Sequence, residues 1–334
     1  MASISAAIEG LPVGMSRMAD DPAAIVIAAP AKLNLSLAIL ARRPDGFHEI
    51  ESLMVPVSLA DRLVVRALDS PGVRLRVRFG GRLAQPAGAV LCRDVPADDS
   101  NLVVRAAQRL AAAAGIERGL DVELTKEVPS GAGLGGGSSD AAAILRAAAV
   151  VWGLDWPMAR LAEIGADIGS DVPWFFAGSP AIAAGRGERI EPVAGLPSLH
   201  AVIACPAAGL STPAVYGRCV PDQTRAGESA RLVAALAAGD LRAAGVLMHN
   251  GLEAAARSLS PDIDRLLAAL GAAGAVQPML TGSGSACFAL TRTVAEARGL
   301  AARVAAKGAA AGGRWPAVFV VRLVQPGRPA AVAV

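Results

Sequence analysis

The feature of this 334-residue chain that most restricts its fold is a glycine-rich stretch, "PSGAGLGGGSSDAA", at residues 129–142. Glycine permits positive φ and close approach of the backbone to a ligand. An alanine-rich segment that favours helix follows, and the first amides of a helix have no partner within it. The stretch therefore predicts a loop at a helix N-terminus, capped by Ser138 or Ser139, whose amides bind an anion, most often a phosphate.

Two familiar phosphate loops fit this stretch poorly. Residues 131–136 satisfy G-x-G-x-x-G, and Asp155 lies about 20 residues further on, as in dinucleotide-binding folds. However, the preceding segment "LDVELTKEVPS" alternates apolar and polar residues and has a proline near its end. The first strand of a dinucleotide-binding fold is instead continuously apolar. A Walker A loop requires lysine after its last glycine, and Gly136 is followed by glycine and serine. A loop that only ends or begins a helix needs a single glycine.

Composition limits the class of protein. Hydrophobic residues make up 53% and charged residues 18%, which predicts a sizeable core and room for two domains. No apolar run reaches the roughly 18 residues of a membrane helix, and the N-terminus lacks the pattern of a secretory signal. The four cysteines show no C-x-x-C spacing, so neither a zinc site nor a disulfide framework is expected. We therefore expect a cytoplasmic location. A net charge of +3 does not suggest nucleic acid.

Lysine is rare in this chain and occurs only at Lys32, Lys126 and Lys307. Lys32 lies in "APAKLNLSLAIL", whose alternation places Lys32 and Asn34 on the same face of a strand. The next turn carries Asp45, Gly46, Phe47 and His48, a mixture of polar, aromatic and glycine residues that suggests a recognition loop. A polar outer face of an edge strand is the alternative interpretation of Lys32 and Asn34.

Two further stretches are ambiguous by themselves. Asp171 follows a Gly-Ser break and precedes proline in "IGADIGSDVPWFF", a position that suits a turn residue as well as a functional carboxylate. The segment "MLTGSGSACFAL", residues 279–290, reads as a small-residue hairpin turn between two apolar strands.

Taken together and in this order, the four stretches resemble the GHMP kinase superfamily. The segments "RPDGFHEIESLM", "SNLVVRAA", "GSDVPWFF" and "HNGLE" look more specifically like the 4-diphosphocytidyl-2-C-methyl-D-erythritol kinase family. The resemblance implies an α+β, two-domain GHMP kinase fold. A ribosomal S5 domain 2-like N-terminal domain would cover residues 25–180 and a ferredoxin-like C-terminal domain residues 181–324, with a loose extension at 1–24 and a tail at 325–334.

The resemblance also implies a reaction. It is the ATP-dependent phosphorylation of the 2-hydroxyl of 4-diphosphocytidyl-2-C-methyl-D-erythritol in the non-mevalonate isoprenoid pathway, with Mg²⁺ held mainly by the ATP phosphates and no metal ligand assigned in the protein. Asp171 would act as base, and Lys32 would keep that carboxylate ionised and polarise the hydroxyl. The implied ATP-binding residues are Lys126 near the adenine and, in and around the loop, Pro129, Gly131, Gly133, Leu134, Gly135, Gly136, Gly137, Ser138 and Ser139.

For the acceptor, the resemblance implies that Asn34 bonds the methylerythritol part. Phe47 and Tyr216 would sandwich the cytosine, and His48 would bond its polar edge. Ser100 stands where the family commonly has aspartate, which affects the details of that loop. For Asp140 we favour a structural role over contact with Mg²⁺ through water.

Three alternatives remain. Another GHMP kinase, of homoserine or mevalonate type, would keep the loop but not the D-G-F-H turn. A dinucleotide-binding oxidoreductase would bind NAD(P)H. A non-catalytic relative would bind small ligands, although the presence of both Lys32 and Asp171 speaks against it. Small molecules are the expected partners, without nucleic acid or membrane, and the sequence leaves the oligomeric state open.

Overall fold

The computed structural model describes residues 14–92, 95–310, 312, 315 and 317–324. The predicted tail at 325–334 and most of the predicted extension at 1–24 lie outside this part. The strands, in chain order, are β1 (Met15–Arg17), β2 (Ile25–Asn34), β3 (Ser36–Arg42), β4 (His48–Leu68), β5 (Val73–Phe79), β6 (Gly119–Lys126), β7 (Ala181–Gly185), β8 (Arg189–Pro192), β9 (His200–Cys205), β10 (His249–Asn250), β11 (Met279–Leu280), β12 (Cys287–Thr291) and β13 (Ala317–Arg322).

Helices cover one face of each of the two sheets that these strands form. They are α1 (Leu102–Ala114), α2 (Gly136–Val151), α3 (Met158–Ala166), α4 (Thr212–Tyr216), α5 (Glu228–Ala237), α6 (Leu241–Leu247), α7 (Glu253–Leu259), α8 (Pro261–Ala272) and α9 (Val294–Ala310). None of the described helices has both the length and the apolar character needed to cross a membrane.

The first sheet has nine strands and is organised around β4, which is 21 residues long. β2 and β3 pair antiparallel with successive parts of β4, and β6 and β7 pair with it as well. The sequence predicts one strand near 25–40 and another near 61–80, whereas the structure breaks the first at Leu35 and the second between Leu68 and Val73. The second break falls on "DSPG", a typical turn sequence.

Helices α1 and α2 pack on this sheet through an apolar core. Asn101 caps α1, because its Oδ1 accepts a hydrogen bond from Val103 N at 2.9 Å. Ala141, Ile144 and Leu145 of α2 are buried in the same cluster as strand residues of β2, β4 and β6. The sheet thereby fixes the N-terminus of α2 and the glycine-rich loop that precedes it.

The second sheet has four antiparallel strands in the order β11-β12-β9-β13. Together with the helices α8 and α9 that pack on it, this order is that of a ferredoxin-like domain, which confirms the prediction. Its other face packs against the first sheet, where Ile203, Phe288 and Phe319 share a core with Leu33 and Val55. A cleft opens along this junction.

The pairing of two strands determines where we place the boundary between the domains. β7 pairs with β4 and β8 pairs with β7, so both extend the first sheet. We therefore place the division after Pro192 rather than at the predicted 180/181. At the other end, Met15–Arg17 belongs to the predicted loose extension but forms a strand antiparallel to Ile25–Ile27.

Candidate active site

The cleft between the two sheets has a volume of about 910 Å³. Every site residue predicted from the sequence lines it except Ser139, whose side chain is buried away from the cleft. The predicted residues that line it are Lys32, Asn34, Phe47, His48, Lys126, Pro129, Gly131, Gly133, Leu134, Gly135, Gly136, Gly137, Ser138, Asp171 and Tyr216. Stretches far apart in sequence thus meet in one place.

The glycine-rich loop begins α2 earlier than the sequence predicts. The N-cap is Gly135, which has φ +72°, and not Ser138 or Ser139. The first helical hydrogen bond runs from Ser139 N to Gly135 O at 2.9 Å, so the amides of Gly136, Gly137 and Ser138 precede it. These three residues line the cleft, and their amides lie at the positive end of the helix dipole. This is the arrangement that binds phosphate.

The loop is held between the two domains by backbone contacts. Lys32 N donates to Leu134 O at 3.0 Å, and Ala286 N donates to Ala132 O at 3.1 Å. A Cβ at Gly133 would lie 2.2 Å from Thr281 O, so only glycine fits there. The turn at residues 281–286 is therefore part of the site and more than a hairpin connection.

Lys32 and Asp171 face each other across the cleft. Their Nζ and Oδ2 atoms are 3.9 Å apart, and Lys32 is buried while the Asp171 side chain is 40% exposed. Lys32 Nζ also donates to Asn34 Oδ1 at 2.6 Å, and Asn34 Nδ2 donates to Ser52 Oγ at 2.8 Å. Burial lowers the pKa of Lys32, and the charge of Asp171 offsets part of that effect. Because both Lys32 and Asn34 are buried, they do not form the outer face of an edge strand.

Lys126 lies on the other side of the loop in a buried ion cluster. Its ammonium donates to Asp61 Oδ2 and, at 2.6 Å, to Asp140 Oδ2. Asp61 Oδ1 accepts from the amides of Glu127 and Val128 at 2.6 and 2.8 Å. Burial disfavours the ammonium, but the two carboxylates outweigh it and raise the pKa of Lys126. Asp140 accepts a hydrogen bond from Lys126 alone among these groups. Burial raises the pKa of Asp140, although the positive charge of Lys126 acts in the opposite direction.

An aromatic group lies at the far end of the cleft. The rings of His48 and Tyr216 have centroids 5.2 Å apart, and the Arg186 guanidinium carbon lies 4.8 Å from the centroid of the Phe47 ring. Burial, with a smaller effect from the charge of Arg42, lowers the pKa of His48 and favours the neutral imidazole. Phe47 is 47% exposed, so its ring is available to a ligand.

Sequence reasoning missed two residues of this site. Asp61 lies within the long strand β4, where its position next to Lys126 depends on the pairing of β4 with β6. Arg186 lies in "GRGERI", between β7 and β8. An arginine between two glycines in a short turn is the only sequence signal that would have drawn attention to it.

The cleft offers few oxygen ligands for a metal ion. Within the described ranges, no group of three or more His, Cys, Asp or Glu side chains is placed to hold one. Asp140 Oδ1 is buried at the edge of the cleft without a hydrogen-bond partner. This single carboxylate oxygen fits a Mg²⁺ ion that takes most of its ligands from phosphate and water.

Comparison with known protein families identifies the class of enzyme to which this chain belongs. The family model described as GHMP kinases N terminal domain matches residues 101–179, and the one described as GHMP kinases C terminal matches residues 232–310. The first match covers the glycine-rich loop and Asp171, and the second covers the turn at 281–286. The fold and the site therefore define a GHMP kinase.

Curated relatives narrow the class further. A 4-diphosphocytidyl-2-C-methyl-D-erythritol kinase from Rhodopirellula baltica is 43% identical over 289 residues, which cover 78% of this chain and 85% of the relative. The protein of the same name from Pelotomaculum thermopropionicum is 38% identical over 280 residues, covering 84% of this chain and 93% of the relative. The chain belongs to the 4-diphosphocytidyl-2-C-methyl-D-erythritol kinase family.

Solved structures agree with this assignment. A crystal structure of 4-(cytidine 5'-diphospho)-2C-methyl-D-erythritol kinase matches with a TM-score of 0.69 and 34% identity, covering 89% of this chain and 98% of that one. A homoserine kinase from Cytophaga hutchinsonii matches with a TM-score of 0.70 at 23% identity, covering 91% and 95% of the two chains. The second likeness is one of fold alone.

Proposed function

We propose that this kinase transfers the γ-phosphoryl group of ATP to the 2-hydroxyl of 4-diphosphocytidyl-2-C-methyl-D-erythritol in the non-mevalonate isoprenoid pathway. One observation carries the proposal: the glycine-loop amides, the Lys32–Asp171 pair and the Phe47–His48 turn all open on the same cleft. A phosphate cradle, a charged pair and an aromatic site are the parts that a kinase with a nucleotide-linked alcohol as acceptor requires.

Phosphoryl transfer depends on positioning and on neutralisation of charge more than on covalent chemistry. The amides of Gly136, Gly137 and Ser138 would bind phosphate oxygens of ATP. Mg²⁺ supplies further neutralisation of phosphate charge when bound, and Asp140 is the residue that would hold it. The backbone hydrogen bonds from Lys32 to Leu134 and from Ala286 to Ala132 hold the loop in place before the nucleotide binds. This limits the entropy cost of binding.

Asp171 is the proposed base. Its half-exposed carboxylate would accept the proton of the acceptor hydroxyl as the oxygen bonds to phosphorus. The buried Lys32 ammonium would donate a hydrogen bond to the same oxygen, and its lowered pKa makes it a stronger donor. Asn34 fixes Lys32 through the 2.6 Å hydrogen bond and retains one amide hydrogen for the methylerythritol hydroxyls.

Recognition of cytosine is assigned to the aromatic end of the cleft. Phe47 and Tyr216 would hold the base between their rings, and His48, neutral at pH 7, would bond its polar edge. The base is remote from the transferred group, so these contacts act on binding of the acceptor more than on the chemical step.

The test replaces each ring with alanine, and Phe79→Ala serves as control because Phe79 is 40% exposed on β5 and does not line the cleft. Loss of stacking should cost roughly 1–3 kcal/mol of acceptor binding. We expect Phe47→Ala and Tyr216→Ala to raise KM for the acceptor while KM for ATP and Tm stay near those of Phe79→Ala. A stable variant with unchanged acceptor KM would contradict the cytosine site.

The alternatives are tested with a coupled assay of ATP consumption against 4-diphosphocytidyl-2-C-methyl-D-erythritol, homoserine and mevalonate. Turnover with either simple alcohol and none with the cytidine compound would favour another GHMP activity. The requirement for Mg²⁺ is measured in the same assay after treatment with a chelator. A cytoplasmic location and the absence of nucleic acid and membrane partners stay predictions from the sequence.

A further inference from the structure

The hairpin between β7 and β8 places a cation at the aromatic end of the cleft. Arg186 lies in this turn and lines the cleft, with its guanidinium over the ring of Phe47. The backbone of the next residue approaches the reacting end, because a Cβ at Gly187 would lie 3.4 Å from Ser170 O. The turn that carries Arg186 thus contacts the aromatic site through the guanidinium and, through the next residue, approaches the residue that precedes Asp171.

Four cations line the cleft within the described part of the chain, and they differ in how their charge is balanced. Lys32 is paired with Asp171, and Lys126 with Asp61 and Asp140. Arg42 and Arg186 form no ion pair with any described carboxylate within 4.0 Å, whereas Arg189 on the same hairpin pairs with Glu49 at 2.7 Å. Asp45 lies close enough for the charge of Arg186 to act on it, but it pairs with Arg43 at 3.2 Å. Two arginines without an ion pair of their own favour an anionic ligand in this cleft.

The position of Arg186 favours it over Arg42. Arg42 pairs in register with His48 at the end of β3 and lies on the side of the base. The Arg186 guanidinium carbon lies over the Phe47 ring, 4.8 Å from its centroid, and the N–H donors of this side chain pair with no described carboxylate within 4.0 Å. Glu188 Oε2 accepts from Arg186 N at 2.6 Å and holds the backbone of the turn, so the side chain projects from a fixed point.

We propose that Arg186 binds the diphosphate that joins the cytidine to the reacting alcohol and so acts as a specificity-determining residue for the acceptor. This inference rests on the proposed function. A planar guanidinium can bond two phosphate oxygens at once, and the contact with the Phe47 ring limits the movement of this one. The residue would thereby discriminate a nucleoside diphosphate from a nucleoside.

The experiment measures binding of cytidine and of cytidine diphosphate to the full-length chain by calorimetry, with a non-hydrolysable ATP analogue occupying the nucleotide site. The variants are Arg186→Ala and Arg186→Lys, with Arg189→Ala as the matched control from the same hairpin. We expect Arg186→Ala to weaken cytidine diphosphate about tenfold or more, the range for a hydrogen bond to a charged group, and to leave cytidine unchanged. Arg186→Lys should recover part of the loss, and Arg189→Ala should match wild type.

Three results would overturn the inference. Equal loss of both ligands would mean that Arg186 acts by packing on Phe47. Unchanged affinity for cytidine diphosphate would remove the diphosphate contact. Loss of affinity for the ATP analogue alone would assign Arg186 to the donor nucleotide. If the wild-type chain binds neither cytidine compound, the proposed function fails, an outcome distinct from failure of Arg186.

Discussion

Two lysines flank the glycine-rich loop, and their surroundings differ. Lys32 and Lys126 are equally buried, each with 3% of its surface exposed. Lys126 is in contact with two buried carboxylates, whereas Lys32 has one half-exposed carboxylate 3.9 Å away. The pKa of Lys126 is raised and that of Lys32 is lowered.

The difference separates an ion cluster that maintains the structure from a pair available for chemistry. Burial disfavours the charge of both lysines, so the number and proximity of the carboxylates decide the sign of the pKa shift. At Lys126 the attraction exceeds the cost of burial, and the cluster ties β4, β6 and α2 together. At Lys32 burial prevails, and Asp171 remains accessible to a substrate. We expect loss of Asp61, which does not line the cleft, to affect stability, and changes at Lys32 or Asp171 to affect turnover.

The largest effect is expected from removal of the reacting pair. Asp171→Ala and Lys32→Ala should each lower kcat by about 10²- to 10⁴-fold, the usual contribution of a positioned proton-transfer group. The fold should remain intact, which is checked by circular dichroism and Tm. Asp167→Ala, which removes an exposed carboxylate paired with Arg109, is the control. Near wild-type turnover in both variants would refute the proposed chemistry.

The next effect is expected at the buried cluster. Asp61→Ala leaves the amides of Glu127 and Val128 without their acceptor and removes one of the two partners of Lys126. Breaking a buried ion pair on one side typically costs about 3–5 kcal/mol. The free energy of unfolding is measured in urea, and Asp167→Ala should change it by less than about 1 kcal/mol. If Asp61→Ala is as stable as this control, the cluster does not maintain the structure.

Two adjacent glycines allow a finer test of the comparison. A Cβ at Gly135 would lie 2.9 Å from Phe175 Cζ and 3.1 Å from Lys32 Cγ, at a positive φ. A Cβ at Gly136 would lie 3.0 Å from Val128 Cγ1 and 3.3 Å from Lys126 Nζ. Gly135→Ala should reduce kcat/KM for ATP about tenfold, since strain of about 1–2 kcal/mol falls on the loop and on Lys32. Gly135→Val should weaken ATP binding further.

Gly136→Ala is the matched comparison for that test. Gly136 is helical, so the substitution carries no penalty from positive φ and keeps the backbone amide in the phosphate cradle; kcat/KM for ATP should fall less than in Gly135→Ala. Equal kinetic effects of Gly135→Ala and Gly136→Ala would show that a change next to Lys32 affects turnover no more than a change next to Lys126. Both variants are compared by nucleotide titration and by steady-state kinetics.

The smallest effect concerns pH. The Lys32 ammonium is required, so kcat/KM should decline as pH rises through the lowered pKa of Lys32, at a lower pH than for an ordinary lysine with a pKa of about 10.4. Lys32→Arg keeps its charge at all working pH values, so its residual activity should lack this alkaline decline. An unchanged alkaline decline in Lys32→Arg would assign it to another group.

Much of the site could be predicted because its residues occur in short, distinctive stretches. The glycine-rich segment indicated a helix N-terminus, and alternation placed Lys32 and Asn34 together, as their 2.6 Å hydrogen bond confirms. The position of the N-cap was wrong, because serine is a strong cap by composition but the left-handed Gly135 starts the helix earlier. The roles assigned to individual site residues stay predictions.

Features that depend on pairing between distant segments could not be predicted. Asp61 is unremarkable in its own strand and gains its role when β6 brings Lys126 alongside it. Strands β7 and β8 follow Asp171 in sequence and were assigned to the second domain, but their hydrogen bonds lie in the first sheet. Ser139 was placed in the phosphate site by its neighbours, whereas the helical turn directs it into the interior.

The length of β4 has a consequence for how this chain can vary. The strand carries His48 at the acceptor end of the cleft and Asp61 beneath the phosphate loop, so one strand joins both sites. Its pairing with β2 shifts register between Pro30 and Lys32, whereas from Arg62 to Leu68 it runs in regular register with β6. A deletion of one residue within this regular part would turn the side chains on one side of it to the opposite face and remove Asp61 from Lys126. Differences in length of β4 among related chains should therefore be confined to the irregular part of the strand and to the turns on either side of it.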